Sequence, residues 1–167
     1  MQSLILMNVQ KDYGSWGAFQ INHSENFVNE LQNHINSCLQ LLVLVENHQP
    51  DHISFASSHL FRFPGMQLDK QNEETILYPM HCIQGTLGAQ VSENLSFEPN
   101  AIYISRGENS QTFIDRTYYD RLCKQLNLIQ GNEVMVAGFY RNYETEDLCN
   151  FLKLKGFAVI TFFEEPN

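Results

Sequence analysis

The stretch EVMVAGFYRNYETEDLCNF, residues 133–151, decides the fold class of this sequence. EVMVAG at residues 133–138 is mostly apolar, as in a buried strand, and helical spacing of apolar residues begins at Thr145. A sharp loop joins the two segments, and such a loop is where an α/β protein commonly presents a reactive group. The side chain offered here is an acid, Glu144. The stretch therefore predicts a strand, a loop and a helix, with a carboxylate where a reactive group is commonly presented.

The same alternation of strands and helices extends in both directions from this stretch. Strands are predicted at residues 3–9, 41–46, 101–105, 133–138 and 157–163, and helices at Glu25–Cys38, Ile114–Leu126 and Thr145–Leu154. This rhythm predicts an α/β fold with three layers (α/β/α) and a mostly parallel, doubly wound sheet. At 167 residues, 43% of them hydrophobic, the chain has enough apolar material for one core. We expect a single domain, residues 1–167.

Composition and charge narrow the classes of partner. The formal charge is -9 with 10 Lys and Arg residues, so the basic face that nucleic acid or an anionic membrane requires is not expected. A small molecule is the expected partner, with another protein subunit as the alternative. The N-terminal apolar run is too short for a membrane span and lacks the basic flank of a secretory signal, which predicts a cytoplasmic protein. The four cysteines show no repeated spacing, and we expect buried, reduced thiols.

Polar side chains follow the predicted strands, at the edge of the sheet where ligands bind in open parallel sheets. The residues expected at this rim are Asn8, Glu46, His48, Arg106 and Glu144, with His81 supplied by the long irregular segment before the third strand. Long irregular connections in compact domains are usually functional or disordered. The rim is therefore the predicted site.

Five ordered blocks of sequence carry a resemblance to a known family. They are LILMNVQKDYGSWGAF (4–19), ENHQPDHISF (46–55), LYPMHCIQGTLGAQ (77–90), YISRG (103–107) and VAGFYRNYETEDL (136–148). The sequence resembles the isochorismatase-like cysteine hydrolases, most closely their nicotinamidase branch. The resemblance covers essentially the whole chain and implies the isochorismatase-like hydrolase fold.

In that family a Cys attacks a carboxamide, an Asp takes its proton and a Lys supports the developing charges. The resemblance places these three roles on Glu144, Asn8 and Arg106, so all three catalytic positions are substituted. An Asn side chain has no basic lone pair comparable to a carboxylate, and an Arg is a poor proton donor. A carboxylate that attacks an amide is itself the better leaving group, so the adduct reverts.

Asn8, Arg106 and Glu144 have the same summed charge as the Asp, Lys and neutral Cys of the family. The negative charge has moved from the base position to the nucleophile position. We hypothesise that Arg106 and Glu144 form a hydrogen-bonded ion pair across the former catalytic pocket, with Asn8 as a neutral partner. The alternative is that Glu144 points to solvent as an acid in the first turn of a helix.

The resemblance also implies a metal site and an aromatic substrate pocket. The metal ligands fall on Glu46, His48 and His81, a set compatible with Zn²⁺ or another divalent ion; a polar cluster without metal is the alternative. No organic cofactor is expected. The substrate-lining positions are Tyr13, Trp16, Phe19, Tyr78, Phe139 and Tyr140, although core packing explains each aromatic residue equally well. Trp16 is expected to narrow the entrance.

Two classes of function remain open at this point. The first is a catalytically degenerate member of the family, a pseudoenzyme that binds a small molecule, a metal or a second copy of itself. The second is a hydrolase of a nicotinamide-like amide or another small substrate, in which a metal-bound water attacks and Glu144 or Glu46 serves as base. Whether the protein is an enzyme is left open by the sequence.

Overall fold

The computed structural model describes residues 3–126 and 131–164. Its strands are β1 Ser3–Met7, β2 Gln40–Glu46, β3 Ile102–Arg106, β4 Glu133–Gly138 and β5 Ala158–Phe163. Its helices are α1 Glu25–Ser37, α2 Tyr119–Leu126 and α3 Tyr143–Leu154. Within these ranges, no helix combines the length and the apolar character that a membrane-crossing segment requires.

The five strands form one sheet in the order β3-β2-β1-β4-β5, and every pairing between them is parallel. The predicted α/β class with a mostly parallel sheet is thereby confirmed. β1 lies in the centre, and all five of its residues are buried. A strand covered on both faces must be apolar throughout, which is why SLILM reads as a continuous run.

Helices cover both faces of the sheet. Alternate residues of β1 point to opposite faces, so Leu4 and Leu6 pack with α1 while Ile5 and Met7 pack with α2 and α3. The three layers therefore follow from the period-two geometry of the strands and the apolar stripes of the helices. Between β2 and β3, residues 47–101 contain short 3-10 helices and isolated β-bridges, and this long segment carries two of the rim histidines.

Some predicted element boundaries are wrong, and side-chain hydrogen bonds explain two of them. α2 begins at Tyr119 instead of Ile114, because Asp115 accepts hydrogen bonds from the Thr117 amide (2.8 Å) and hydroxyl (2.6 Å) and from the Gly107 amide (2.9 Å). These bonds hold the chain in a turn before the helix. α3 begins at Tyr143, two residues earlier than predicted, because Asn142 caps it.

Candidate active site at the carboxyl ends of the strands

The parallel sheet brings four rim residues together from distant parts of the sequence. Glu46 and Arg106 are the last residues of β2 and β3, and they are neighbours in the register of the two strands. Asn8 follows β1, and its φ of 55° turns the chain there, a left-handed conformation that Asn tolerates. Glu144 lies in the first turn of α3. Because parallel strands end at the same side of the sheet, these side chains converge.

Arg106 lies at the centre of this group and is 1% exposed. Its Nη1 donates to Glu144 Oε2 at 2.6 Å, and its Nη2 donates to Asn8 Oδ1 and Glu46 Oε1, each at 2.5 Å. The predicted ion pair between Arg106 and Glu144, with Asn8 as neutral partner, is thus present. Asn8 is held from its other side, since its Nδ2 donates to the carbonyl of Tyr140 at 2.7 Å.

The bond from Arg106 to Glu46 was not anticipated. The signal was in the sequence, because Glu46 ends one predicted strand and Arg106 directly follows another, but the adjacency of β2 and β3 is needed to use it. Glu46 is buried, and its Oε2 also accepts a hydrogen bond from the Tyr13 hydroxyl at 2.6 Å. Both oxygens of the Glu46 carboxylate are therefore engaged.

Burial and neighbouring charges together set the protonation of Glu46 and Arg106. Burial alone would raise the pKa of Glu46, but the charges of Arg106 and His81 hold this pKa well below its usual range. Burial would likewise lower the pKa of Arg106, whereas Glu144 and Glu46 raise it well above its usual value. The site therefore holds a buried guanidinium beside the ionised carboxylate of Glu46.

The three predicted metal-binding residues also meet at this rim. One ligand atom from each of Glu46, His48 and His81 lies within 4.8 Å of the others, and all three residues are buried. The Nδ1 of His48 bonds to the carbonyl of Gly107 at 2.9 Å, and the Nδ1 of His81 bonds to the carbonyl of Pro79 at 2.8 Å. A backbone carbonyl only accepts hydrogen bonds, so each Nδ1 carries the hydrogen and donates, and each Nε2 faces Glu46.

Two distances in this cluster are close to those between ligands of a divalent metal ion. His48 Nε2 and His81 Nε2 lie 3.6 Å and 3.1 Å from Glu46 Oε2. Ligands of a tetrahedral zinc, at about 2.1 Å from the ion, are about 3.4 Å apart. Gly107 contributes through its size and its φ of 74°, because a Cβ there would lie 2.4 Å from Cε1 of His48. Glycine at this position thus leaves room for the His48 ring beside Glu46.

Four of the six predicted substrate-lining aromatics form one cluster beside the metal ligands. Phe19 is at its centre, with ring centroids 4.6 Å from Tyr13, 4.9 Å from Tyr140, 6.1 Å from Tyr78 and 4.9 Å from His81. Tyr13 is fully buried, whereas Phe19, Tyr78 and Tyr140 are half-buried. The half-buried rings form the wall that a ligand at this rim would meet.

The structure does not bring Trp16 or Phe139 to this cluster. Trp16 is fully exposed in the turn after Tyr13, so its ring does not narrow the entrance as expected. Phe139 is buried in the core and stacks on His23 at 4.3 Å. Successive residues after β4 point in opposite directions, so Tyr140 faces the site and Phe139 faces the core.

The cysteines offer no substitute nucleophile near Glu144. Cys82 is fully buried, and burial together with Glu46 and Asp12 raises the pKa of its thiol. Cys149 is buried in the core on the α3 side, and burial raises its pKa as well. Because the thiolate is the reactive form, both thiols are inert at neutral pH.

Comparisons with known proteins identify relatives in sequence and in fold. No protein-family model matches the chain. The nicotinamidase of Acinetobacter baylyi is 27% identical over 106 residues, which cover 63% of this chain and 49% of that protein. The nicotinamidase of Saccharomyces cerevisiae is 25% identical over 132 residues, 71% of this chain and 61% of that protein. The chain thus spans about half to three-fifths of these relatives.

Solved structures share the fold at low sequence identity. The nicotinamidase/pyrazinamidase of Acinetobacter baumanii superposes with a TM-score of 0.70 at 17% identity, covering 96% of this chain and 95% of that one. A zinc complex of the Pyrococcus horikoshii pyrazinamidase gives 0.61 at 14% identity, with 96% and 99% coverage. An isochorismatase-like hydrolase of Alkaliphilus metalliredigens gives 0.60 at 15% identity, with 96% and 80% coverage. The chain is therefore a homologue of the nicotinamidases and has the isochorismatase-like hydrolase fold.

Proposed function

We propose that this protein binds a small molecule, together with a divalent metal ion, and does not catalyse the thiol-dependent hydrolysis for which its relatives are named. The observation that carries the proposal is the contact of Arg106 with Glu144. The sequence resemblance assigns these two positions to the thiol and the lysine of the family. The guanidinium is instead bonded to three acceptors.

Each step of thiol hydrolysis lacks a group in this chain. The carboxylate of Glu144 forms no stable acyl adduct from an amide, since the adduct reverts by expelling the carboxylate. Asn8 donates to one neighbour and accepts from another, and its amide has no basic lone pair for a proton. Cys82 and Cys149 are both buried and protonated. The fold is retained while the reacting groups are replaced.

Glu46, His48 and His81 are the residues that would hold the metal ion. A divalent ion in this place supplies a Lewis-acidic position at which a ligand atom can coordinate. The carbonyls of Gly107 and Pro79 fix both imidazole rings in the required tautomer. The Tyr13 hydroxyl orients the Glu46 carboxylate.

The surroundings favour a flat ligand that carries hydrogen-bond donors. Phe19, Tyr78 and Tyr140 provide half-buried ring faces on which an aromatic ligand can stack. The Glu144 side chain is 14% exposed, and its Oε2 is the oxygen that is bonded to Arg106. Its other oxygen can accept a hydrogen bond from the ligand. A pyridine carboxamide of the nicotinamide type meets both requirements.

The alternative function is hydrolysis that depends on the metal and uses a glutamate as base. A carboxylate acts as a base when it can take up a proton, and a bound guanidinium opposes this. Glu46 and Glu144 are both bonded to Arg106. These bonds favour ligand binding over hydrolysis.

Calorimetry and an assay of ammonia release would test the proposal together. Protein purified without chelator or His tag is loaded with zinc and titrated with nicotinamide, with His81→Ala as the metal-free comparison. We expect saturable binding that is weakened in His81→Ala and is not followed by ammonia release. Ammonia release that appears on addition of zinc or manganese and resists iodoacetamide would support the alternative. No binding with or without metal would contradict the proposal.

A further inference from the structure

The two carboxylate oxygens of Glu46 face different neighbours. Its Oε1 accepts a hydrogen bond from Nη2 of Arg106 at 2.5 Å. Its Oε2 faces the Nε2 atoms of His81 and His48, at 3.1 Å and 3.6 Å, and so lies on the side where the metal ion would bind. Among the three metal-binding residues Glu46 supplies the negative charge, and this carboxylate is already bonded to a cation.

The guanidinium of Arg106 opposes the binding of a second cation to the same carboxylate. Arg106 is 1% exposed, so solvent and salt screen its charge poorly. His48 and His81 bind a metal ion in their neutral form, and they therefore add no charge that offsets the guanidinium. The charges of Glu46 and Arg106 sum to zero, and a divalent ion is attracted weakly by a pair of zero net charge.

Glu144 supplies the charge that changes this balance. Its Oε2 accepts a hydrogen bond from Nη1 of Arg106 at 2.6 Å, on a side chain that is 14% exposed. In the ranges that the structure describes, the carboxylates that form ion pairs with Arg106 are those of Glu46 and Glu144. The third partner of the guanidinium, Asn8, is neutral. Two carboxylates and one guanidinium sum to one negative charge, the sign that favours a bound cation.

We propose that Glu144 maintains the metal affinity of Glu46, His48 and His81 by neutralising Arg106, although Glu144 does not itself bind the ion. This inference rests on the metal site of the proposed function, and it gives the acid in the first turn of α3 a role other than hydrolysis. Residues that contact metal ligands from outside typically change metal affinity by about 10–100-fold. The effect of Glu144 on zinc affinity should lie in this range.

Competition for zinc between the protein and a chelator of known affinity measures this effect without any assay of activity. Glu144→Gln keeps the size of the side chain and removes its charge, so it should bind zinc roughly 10–100-fold more weakly than the unmodified protein. Glu146→Gln is the matched control, since it removes the same charge from the same turn of α3. The Glu146 side chain is 47% exposed and is bonded to Arg141, so this variant should change zinc affinity by less than about twofold.

Two double variants distinguish the charge of Glu144 from its shape. Asn8→Asp/Glu144→Gln returns a negative charge to Arg106 at the residue whose Oδ1 already accepts from Nη2, so zinc affinity should recover. Arg106→Met/Glu144→Gln removes the cation together with its partner, and it should bind zinc roughly tenfold more tightly than Glu144→Gln alone. A structural role of Glu144 would be restored by neither change. Thermal melts followed by circular dichroism establish that each variant is folded during the titration.

The outcomes separate this inference from the proposed function. Equal zinc affinity in Glu144→Gln and the unmodified protein would overturn the inference and leave the metal site standing. A loss that neither double variant recovers, or an equal loss in Glu146→Gln, would overturn it as well. If the unmodified protein bound zinc no better than His81→Ala, the metal site of the proposed function would fail, and this inference with it.

Discussion

Replacing Arg106 by methionine should destabilise the protein severely, because it leaves two carboxylates without their cation. Glu46 is 2% exposed and Glu144 keeps a side-chain exposure of 14%, so water can replace the guanidinium only in part. Removing one partner of a buried ion pair costs about 3–5 kcal/mol. Glu46 retains its hydrogen bond from Tyr13 and its 3.1 Å contact with His81 Nε2, and we expect a loss of about 4 kcal/mol in the free energy of unfolding. For a chain of this length the melting temperature should fall by roughly 8–16 °C.

A second arginine provides a matched control. Arg116 also binds two carboxylates, Asp147 at 2.9 Å and Glu74 at 2.8 Å, but its side chain is 45% exposed. Exposed ion pairs contribute about 0–1 kcal/mol, so Arg116→Met should cost less than about 1 kcal/mol. Because both arginines bind two carboxylates, comparing the two variants isolates the effect of burial on the free energy of unfolding.

Urea denaturation of both variants, followed by circular dichroism, measures these free energies. The double variant Arg106→Met/Glu144→Gln should be more stable than Arg106→Met alone by about 1–2 kcal/mol, because one uncompensated charge is then removed. Equal losses in Arg106→Met and Arg116→Met would refute the reasoning. A double variant no more stable than the single one would show that Glu144 is not held by Arg106.

Three further predictions concern the surroundings of this ion pair. Burial would raise the pKa of Asp115, but hydrogen bonds from Thr117 and Gly107 lower this pKa below its usual value. The ionised Asp115 therefore stabilises the fold above about pH 4, and this stabilisation is lost as the pH falls through the pKa of the folded state. In acid titrations, the stability of Asp115→Asn should fall less steeply than that of the unmodified protein. Phe19→Ala should cost about 2 kcal/mol in urea denaturation, since it removes the ring at the centre of the aromatic cluster; an unchanged midpoint would contradict that packing. His81→Ala should lose bound zinc in elemental analysis, whereas His59→Ala, whose ring bonds to a backbone carbonyl, should retain it.

The sequence predicted the sheet well, because strands covered on both faces leave a continuous apolar signal. β4 begins and ends at the predicted residues. The start of α2 was placed five residues too early, since apolar spacing does not register that the side chain of Asp115 binds backbone amides in the turn before it. Local side-chain bonds of this kind are set by three-dimensional contacts that periodicity does not contain.

The site was predictable where charge had to be compensated. The pairing of Arg106 with Glu144 followed from the cost of leaving two opposite charges apart in a pocket. The bond from Arg106 to Glu46 required knowledge of strand order, which the sequence did not provide. The positions of Trp16 and Phe139 depended on the direction of single side chains in a turn and after a strand end. Family position alone did not reveal those directions.

The most direct test of the central claim is the rate of ammonia release from nicotinamide, measured side by side for the unmodified protein and for the variant Asn8→Asp/Arg106→Lys/Glu144→Cys. The account predicts no thiol-dependent rate for the unmodified protein, and a rate in the variant that iodoacetamide abolishes, because the scaffold and the metal ligands are kept while the reacting groups are restored. A rate in the unmodified protein that iodoacetamide abolishes would contradict it.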